Sequence, residues 1–522
     1  MKRIVSLLLC LALVTALFSG CDEKSNDPHI PTGDALVMEG QDPNSVGPQV
    51  EEEPQELSLV YYPERSLNPL TCTDYTNRVL FSLIYQNMFN VAADRSVEPI
   101  LCSRFQVSAD SRTWTFYVEP DATFSDGTSM TINDVLATYE AAIKSPYYGG
   151  RFTHVGSVSL SDDGGIVFKL NTPYENFPQL MDVPILKSTQ VESEHPLGSG
   201  PYALSNSLAG AHLRRVMNWW CRDLEIVATA ESIPLVEAKD ATQIRDQFEF
   251  YDVGLVLADP CSDMYADFRC DYELWDVDNG IMLFLACNAQ YTKYLEKDTL
   301  RSKLTYAIDR ETIVEKHFRG YAHPATLAAS PASPYYSKSL AAKYAYDPIR
   351  FIDFLSGYGK TEKPIRLMVN SDDSVRLAIA REIAASLTEY GLPTEVIEKT
   401  SRAFQQEIYN GNYDLYLGQT RLSVNMDLSP FFKPYGNMAR NGVADEVTYV
   451  LCLESLANQG NYYNLLKRVA DDGRIIPIAF FSYAVYATRG LLTNLTPARD
   501  NIFYYSLGKT MDGIQIPTDY GN

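Results

Sequence analysis

Between Ile365 and Leu417 the chain alternates strand-like and helix-like stretches, and this rhythm narrows the possible folds more than any other feature. Ile365–Val369 reads as a strand, 373–390 as a helix and Thr394–Ile397 as a strand. A helix over 401–410 and a strand over Tyr413–Leu417 follow. Such alternation predicts an α/β fold with a parallel sheet built from βαβ units. Ligands of these sheets sit beyond the carboxyl ends of the strands, so the residues just after Leu417 are candidates for contact.

The first half of the chain has another rhythm. Leu57–Tyr61 alternates like a half-buried strand, and Val79, Leu80, Leu83, Ile84 and Met88 fall at helical spacing. In Thr113–Val118 the residues Trp114, Phe116 and Val118 share one face. Asp126-Gly127 signals a tight turn, and Thr131 with Asp134 predicts an N-capped helix running to about Ile143. Asp162–Gly165 turns between two strand-like runs, a hairpin signal. Further on, Leu300, Leu304, Ala307, Ile308 and Val314 predict one long amphipathic helix over 298–318.

At 522 residues the chain exceeds one ordinary core and suits two or three lobes. The net charge of −22 repels phosphate backbones, so nucleic acid is excluded as a partner. The N-terminus carries Lys2 and Arg3, then an uncharged apolar run from Ile4 to Phe18, then Ser19-Gly20-Cys21. That run is short for a membrane span and fits a secretory signal over 1–20. Leu17–Cys21 resembles a bacterial lipobox, with Phe18 where leucine is usual, which implies a lipidated Cys21. Residues 22–56 hold no aromatic side chain and end in an acidic run, the composition of a solvated tether.

Catalytic motifs are missing: there is no HExxH, Walker A loop, GxSxG elbow or GxGxxG turn. No His, Cys or acidic spacing suggests a metal site or another cofactor. Seven cysteines remain in the mature chain besides Cys21, with Cys261 and Cys270 the nearest pair. An odd number leaves at least one thiol unpaired.

Several motifs occur in the order found in one family. They are Leu67-Asn68-Pro69, Glu98-Pro99 followed by Thr113–Phe116, Phe124–Thr128 with Thr131–Val135, and Gly198–Tyr202. Leu300-Arg301 with Ala307–Arg310, then Tyr346–Pro348 and Tyr413–Leu415, continue the series. Across 57–490 the chain resembles the extracellular solute-binding proteins of family 5, the oligopeptide- and dipeptide-binding lipoproteins of peptide-type ABC importers. The resemblance implies a two-lobed, class II periplasmic-binding-protein-like fold with an extra β-rich domain. One discontinuous lobe would take 57–74, 197–280 and 479–522. The β-rich domain would take 75–196, and the second lobe 281–478.

The resemblance also implies a monomer without enzymatic activity that closes on a peptide and delivers it to a permease. It would be exported and held by its lipid alone, on the outer face of the cytoplasmic membrane or in a Gram-negative periplasm. Relatives of this kind take nickel chelates, haem or oligosaccharides. A surface sensor and a secreted hydrolase are the rival functions. The family's "G-W-x-x-D", whose Asp holds a peptide amino terminus, is replaced here by Gly418-Gln419-Thr420-Arg421-Leu422-Ser423-Val424-Asn425-Met426-Asp427. Arg421 could grip a carboxylate in bidentate fashion, and Asp427 could meet a cation or cap a helix. Gln419, Thr420 and Asn425 belong to the same stretch. Thr73, Tyr147 and Phe284 align with cleft-facing positions.

Overall fold

The computed structural model describes residues 56–208, 210–221, 224, 229–259, 268–290, 294–358, 363–436, 438, 442–492 and 495–505. The expectations for the signal segment, Cys21, the acidic tether and Cys261 lie outside the described residues.

An 11-stranded mixed sheet is the frame of the molecule. In one wing Leu59–Tyr61 pairs in parallel with both Ser232–Glu237 and Leu255–Ala258. Its three residues are buried on both faces, as a central parallel strand requires. In the other wing Ile365–Asn370 pairs in parallel with Thr394–Lys399 and with Leu415–Arg421. The helices Ser374–Glu389 and Ser401–Asn410 make the crossovers. The predicted βαβ units are therefore present. The last strand reaches Arg421, four residues beyond the predicted end.

Two long antiparallel strands, Tyr272–Cys287 and Ile475–Thr488, join the wings. Each passes from one apolar core to another. Val277, Tyr483 and Val485 belong to a cluster with Leu59, Phe116 and Tyr202. Leu283, Leu285, Ile476 and Ile478 belong to a second cluster with Leu367, Ile379 and Leu415. Between the two cores the pairing register slips from Asp278 to Met282. Gly280 sits there at a φ of 74°, a region that favours glycine. The side chains of Asp278 and Asn279 accept from the amides of Gly280 and Ile281 at 2.7 and 2.9 Å. These bonds satisfy N–H groups that the interrupted ladder leaves free.

The β-rich segment forms a four-stranded antiparallel sheet in the order Cys102–Val107, Thr113–Val118, Ile166–Leu170, Val155–Leu160. Its aromatic face packs Trp114, Phe116 and Phe168 against Phe177. Thr131 and Asp134 form a reciprocal capping box on the helix Ile132–Ala142.

Two expectations need correction. The run 298–318 is not one helix: Asp298–Leu304 and Arg310–Phe318 are separated by a 3-10 turn and an extended Ile308. Asp309 causes the break, because its carboxylate caps the second helix by accepting from the Thr312 amide at 3.1 Å. The helical spacing over 76–89 likewise yields two short helices, Tyr75–Arg78 and Phe81–Ile84.

Gly198-Ser199-Gly200 is a packing device. A Cβ on Gly198 would lie 1.9 Å from the Ile84 carbonyl oxygen, and one on Gly200 2.4 Å from that of Leu83. Ser199 is 1% exposed, and its carbonyl accepts from the indoles of Trp219 and Trp220. Cys72, Cys102, Cys287 and Cys452 are buried free thiols. No helix among the described residues is long and apolar enough to cross a membrane.

Candidate ligand-binding cleft

Five of the residues singled out from sequence line one cavity of about 470 Å³: Thr73, Tyr147, Thr420, Arg421 and Asp427. The first two come from the N-terminal half and the others from the end of the Leu415–Arg421 strand and the loop after it. Gln419 faces a neighbouring cavity of about 430 Å³ with Asn279 and Tyr483, and Tyr75 lines both. Parallel-sheet topology places the strand end here, as expected.

Two of the named residues lie off the cavity wall. Phe284 is 2% exposed and packs edge-on against Phe431 at 5.2 Å, behind a side chain that does line the cavity. Asn425 is 3% exposed, and its carbonyl accepts from the Tyr462 hydroxyl at 2.6 Å.

Arg421 already holds a carboxylate of its own chain. Its Nη2 donates to Asp500 at 2.7 Å, and its Nε to the Asn279 carbonyl at 3.0 Å. Asp500 also accepts from Arg151 at 3.3 Å and from the Tyr147 hydroxyl at 3.0 Å. Burial alone would raise the Asp500 carboxyl, but Arg421, Arg151 and Arg499 outweigh it and hold it well below the usual carboxylate range. The Tyr147 ring lies between two guanidinium groups, 3.6 Å from Arg78 and 4.9 Å from Arg421. Arg421→Ala is therefore expected to destabilise the ligand-free protein by about 2 kcal/mol, the worth of a charged hydrogen bond. Scanning calorimetry without ligand measures this, and an unchanged melting temperature would show that the pair carries no stability.

Asp427 is bonded across the structure. His154 Nε2 lies 2.9 Å from its Oδ2, and the Ser429 amide donates to its Oδ1 at 2.8 Å. Burial pushes this carboxyl up, yet the His154 and Ser429 bonds win and bring it below its ordinary value. Other bonds join the same two regions. The Glu175 amide donates to the Leu456 carbonyl, the Gln459 amide to the Glu175 carboxylate, and the Tyr335 hydroxyl to Gln179. These bonds tie the segment 154–179 to the segment 335–459.

Sequence reasoning passed over Arg151, Asp182, Arg499 and Asp500. Nothing local marks them, since Asp500 lies 79 positions from the arginine it holds.

The architecture and the cavity between its halves define a two-lobed binding protein. A sequence profile described as "Bacterial extracellular solute-binding proteins, family 5 Middle" matches residues 96–442. The chain belongs to that family, and the resemblance read from its motifs is borne out. It is 22% identical over 315 residues to the glutathione-binding protein GsiB of Salmonella typhi, covering 56% of this chain. The match spans 59% of that relative's length. Among solved structures, the ABC transporter substrate-binding protein CtaP of Listeria monocytogenes superposes with a TM-score of 0.67 at 18% identity. It covers 83% of this chain and 94% of its own. NikA of Brucella suis, in complex with Fe(III)-EDTA, gives a TM-score of 0.68 at 17% identity, covering 86% and 100%. These likenesses establish the two-lobed fold.

Proposed function

We propose that this protein captures a small solute, a peptide in the first instance, and passes it to an ABC permease. It would work as an exported monomer, tethered through a lipid on Cys21 and performing no chemistry on its cargo. The observation that carries this reading is a cavity walled by both halves, beside the point where the two connecting strands lose register. A ligand touching both walls favours the closed arrangement by its differential affinity. Varied side chains can be accommodated through bridging water at modest cost. GsiB binds glutathione and NikA was solved with a metal chelate, so a chelate is the second ligand class to test.

Small-angle scattering tests the reading directly. Saturation with a bound tripeptide is expected to shrink the radius of gyration by about 1 Å as the lobes close. Identical dimensions with and without a ligand whose binding calorimetry has verified would overturn it.

A further inference from the structure

Among the described residues, the arginines clustered along and behind the cavity outnumber the buried carboxylates coupled to them, Arg78 lying behind the wall rather than on it. Arg78, Arg95, Arg151, Arg421 and Arg499 form one electrostatic group with Asp182, Asp278 and Asp500. Five positive charges against three negative leave two in excess. Asp427 stands apart with His154, and Asp276 lies at a solvated rim, 36% exposed and 3.5 Å from His323. Burial raises the Asp182 carboxyl, and its ion pair with Arg151 opposes that shift.

The hydrogen bonding is unbalanced in the same direction. Among the described residues Arg78 donates to neutral oxygens alone: the Pro69 and Cys72 carbonyls and the Tyr148 hydroxyl. Arg499 donates to the Leu422 carbonyl and stands 3.8 Å from Asp500. The atom nearest Asp500 is Nε; among the described residues neither it nor Nη1 has a hydrogen-bond partner, and neither has Nε of Arg95, whose Nη2 pairs with Asp278 at 3.1 Å. Arg499 lines the 470 Å³ cavity and also an adjoining one of about 500 Å³, which it shares with Arg95. Burial and the neighbouring Arg421 lower Arg499 to about 10, which still leaves it charged at neutral pH. Arg95 has Asp278 as its counterion, whereas Arg499 shares Asp500 with Arg151 and Arg421; a buried cation with only a shared counterion is costly, and an arriving anion offsets that cost.

We infer that the cleft selects an anionic solute, one carrying at least one carboxylate beyond those balanced by its own amines, and that Arg499 meets it where the two cavities join. This rests on the solute-capture reading. The guanidinium fork suits a carboxylate edge from either an acidic peptide or a chelate.

Calorimetry with the tripeptides Glu-Ala-Glu, Gln-Ala-Gln and Lys-Ala-Lys, and with Fe(III)-EDTA, tests it. Glu-Ala-Glu is expected to bind at least about tenfold tighter than Gln-Ala-Gln, with Lys-Ala-Lys weakest. In Arg499→Gln the acidic-to-neutral ratio should shrink to within about threefold. Should that variant not fold, the native protein serves: raising salt about tenfold should weaken Glu-Ala-Glu severalfold and leave Gln-Ala-Gln in place. Tight binding of Fe(III)-EDTA with none of the peptides would keep the anionic selection and assign it to chelates. Equal affinity for the three peptides would overturn the inference and leave solute capture standing. Binding of none of the four would overturn solute capture along with it.

Discussion

Asp500→Ala is expected to destabilise the ligand-free protein by about 3–5 kcal/mol, the range for removing one partner of a buried ion pair. The Asp500 side chain is 3% exposed and is the shared acceptor of Arg421 and Arg151, with Arg499 beside it. Without it Arg151 and Arg499, 7% and 11% exposed, face each other and the partly exposed Arg421 with no carboxylate between them. The loss should be read as a lower urea midpoint at unchanged slope. Its pH dependence identifies the cause. The native carboxyl ionises well below its unfolded value, so its contribution is fully present above about pH 4. It disappears only as pH falls through the depressed native value. The gap between native protein and variant should stay constant from about pH 5 to 8 and narrow in stronger acid. A loss under about 1 kcal/mol at neutral pH would show that solvent or rearrangement compensates the arginines, and the account of the cleft's charge would fall with it.

What could be read in advance divides by range. Strands and crossover helices from Ile365 to Arg421 announce themselves, because apolar period and turn residues are local properties. The capping box at Thr131 and Asp134 is equally local. The break at Ile308-Asp309 was missed for a physical reason: apolar spacing continues through it, while Asp309 caps and restarts the helix. The crossing strands are harder still. Asp278–Met282 carries apolar residues on either side, and only the pairing of 272–287 with 475–488 reveals a slipped register. For the cleft, strand topology pointed to Thr420, Arg421 and Asp427. It could not supply Asp500 or Arg499, which arrive from the chain's far end, nor His154, which reaches Asp427 across 273 positions. Phe284 shows the converse limit. The resemblance placed it at the cleft face, and it sits one layer deeper, behind Phe431.

The second large effect belongs to Arg310, which closes the Ala307–Arg310 motif. It is 4% exposed, and among the described residues it donates to no carboxylate. Its Nε donates to the carbonyls of Ala325 and Pro477 at 3.0 and 2.9 Å. Nη1 donates to the carbonyls of Thr305 and Ile308, and Nη2 to the Thr305 hydroxyl at 2.8 Å. Burial lowers it to about 10, so it stays charged at neutral pH and these oxygens are what stabilise that charge. Pro477 has no N–H to give, and the register of the long strands slips again beside it, between Leu283 and Phe284. Arg310 therefore binds the helix Arg310–Phe318 to the irregular part of a strand that connects the lobes. Arg310→Met keeps the aliphatic stem and removes every donor, and it should cost about 3–5 kcal/mol from several buried acceptors left unmet. Arg310→Lys should recover less than half, since an ammonium cannot span acceptors on opposite edges of a planar fork. Urea unfolding of both variants measures this. A methionine variant within about 1 kcal/mol of the native protein would mean that water satisfies those carbonyls, and that the strand is held by its ladder alone.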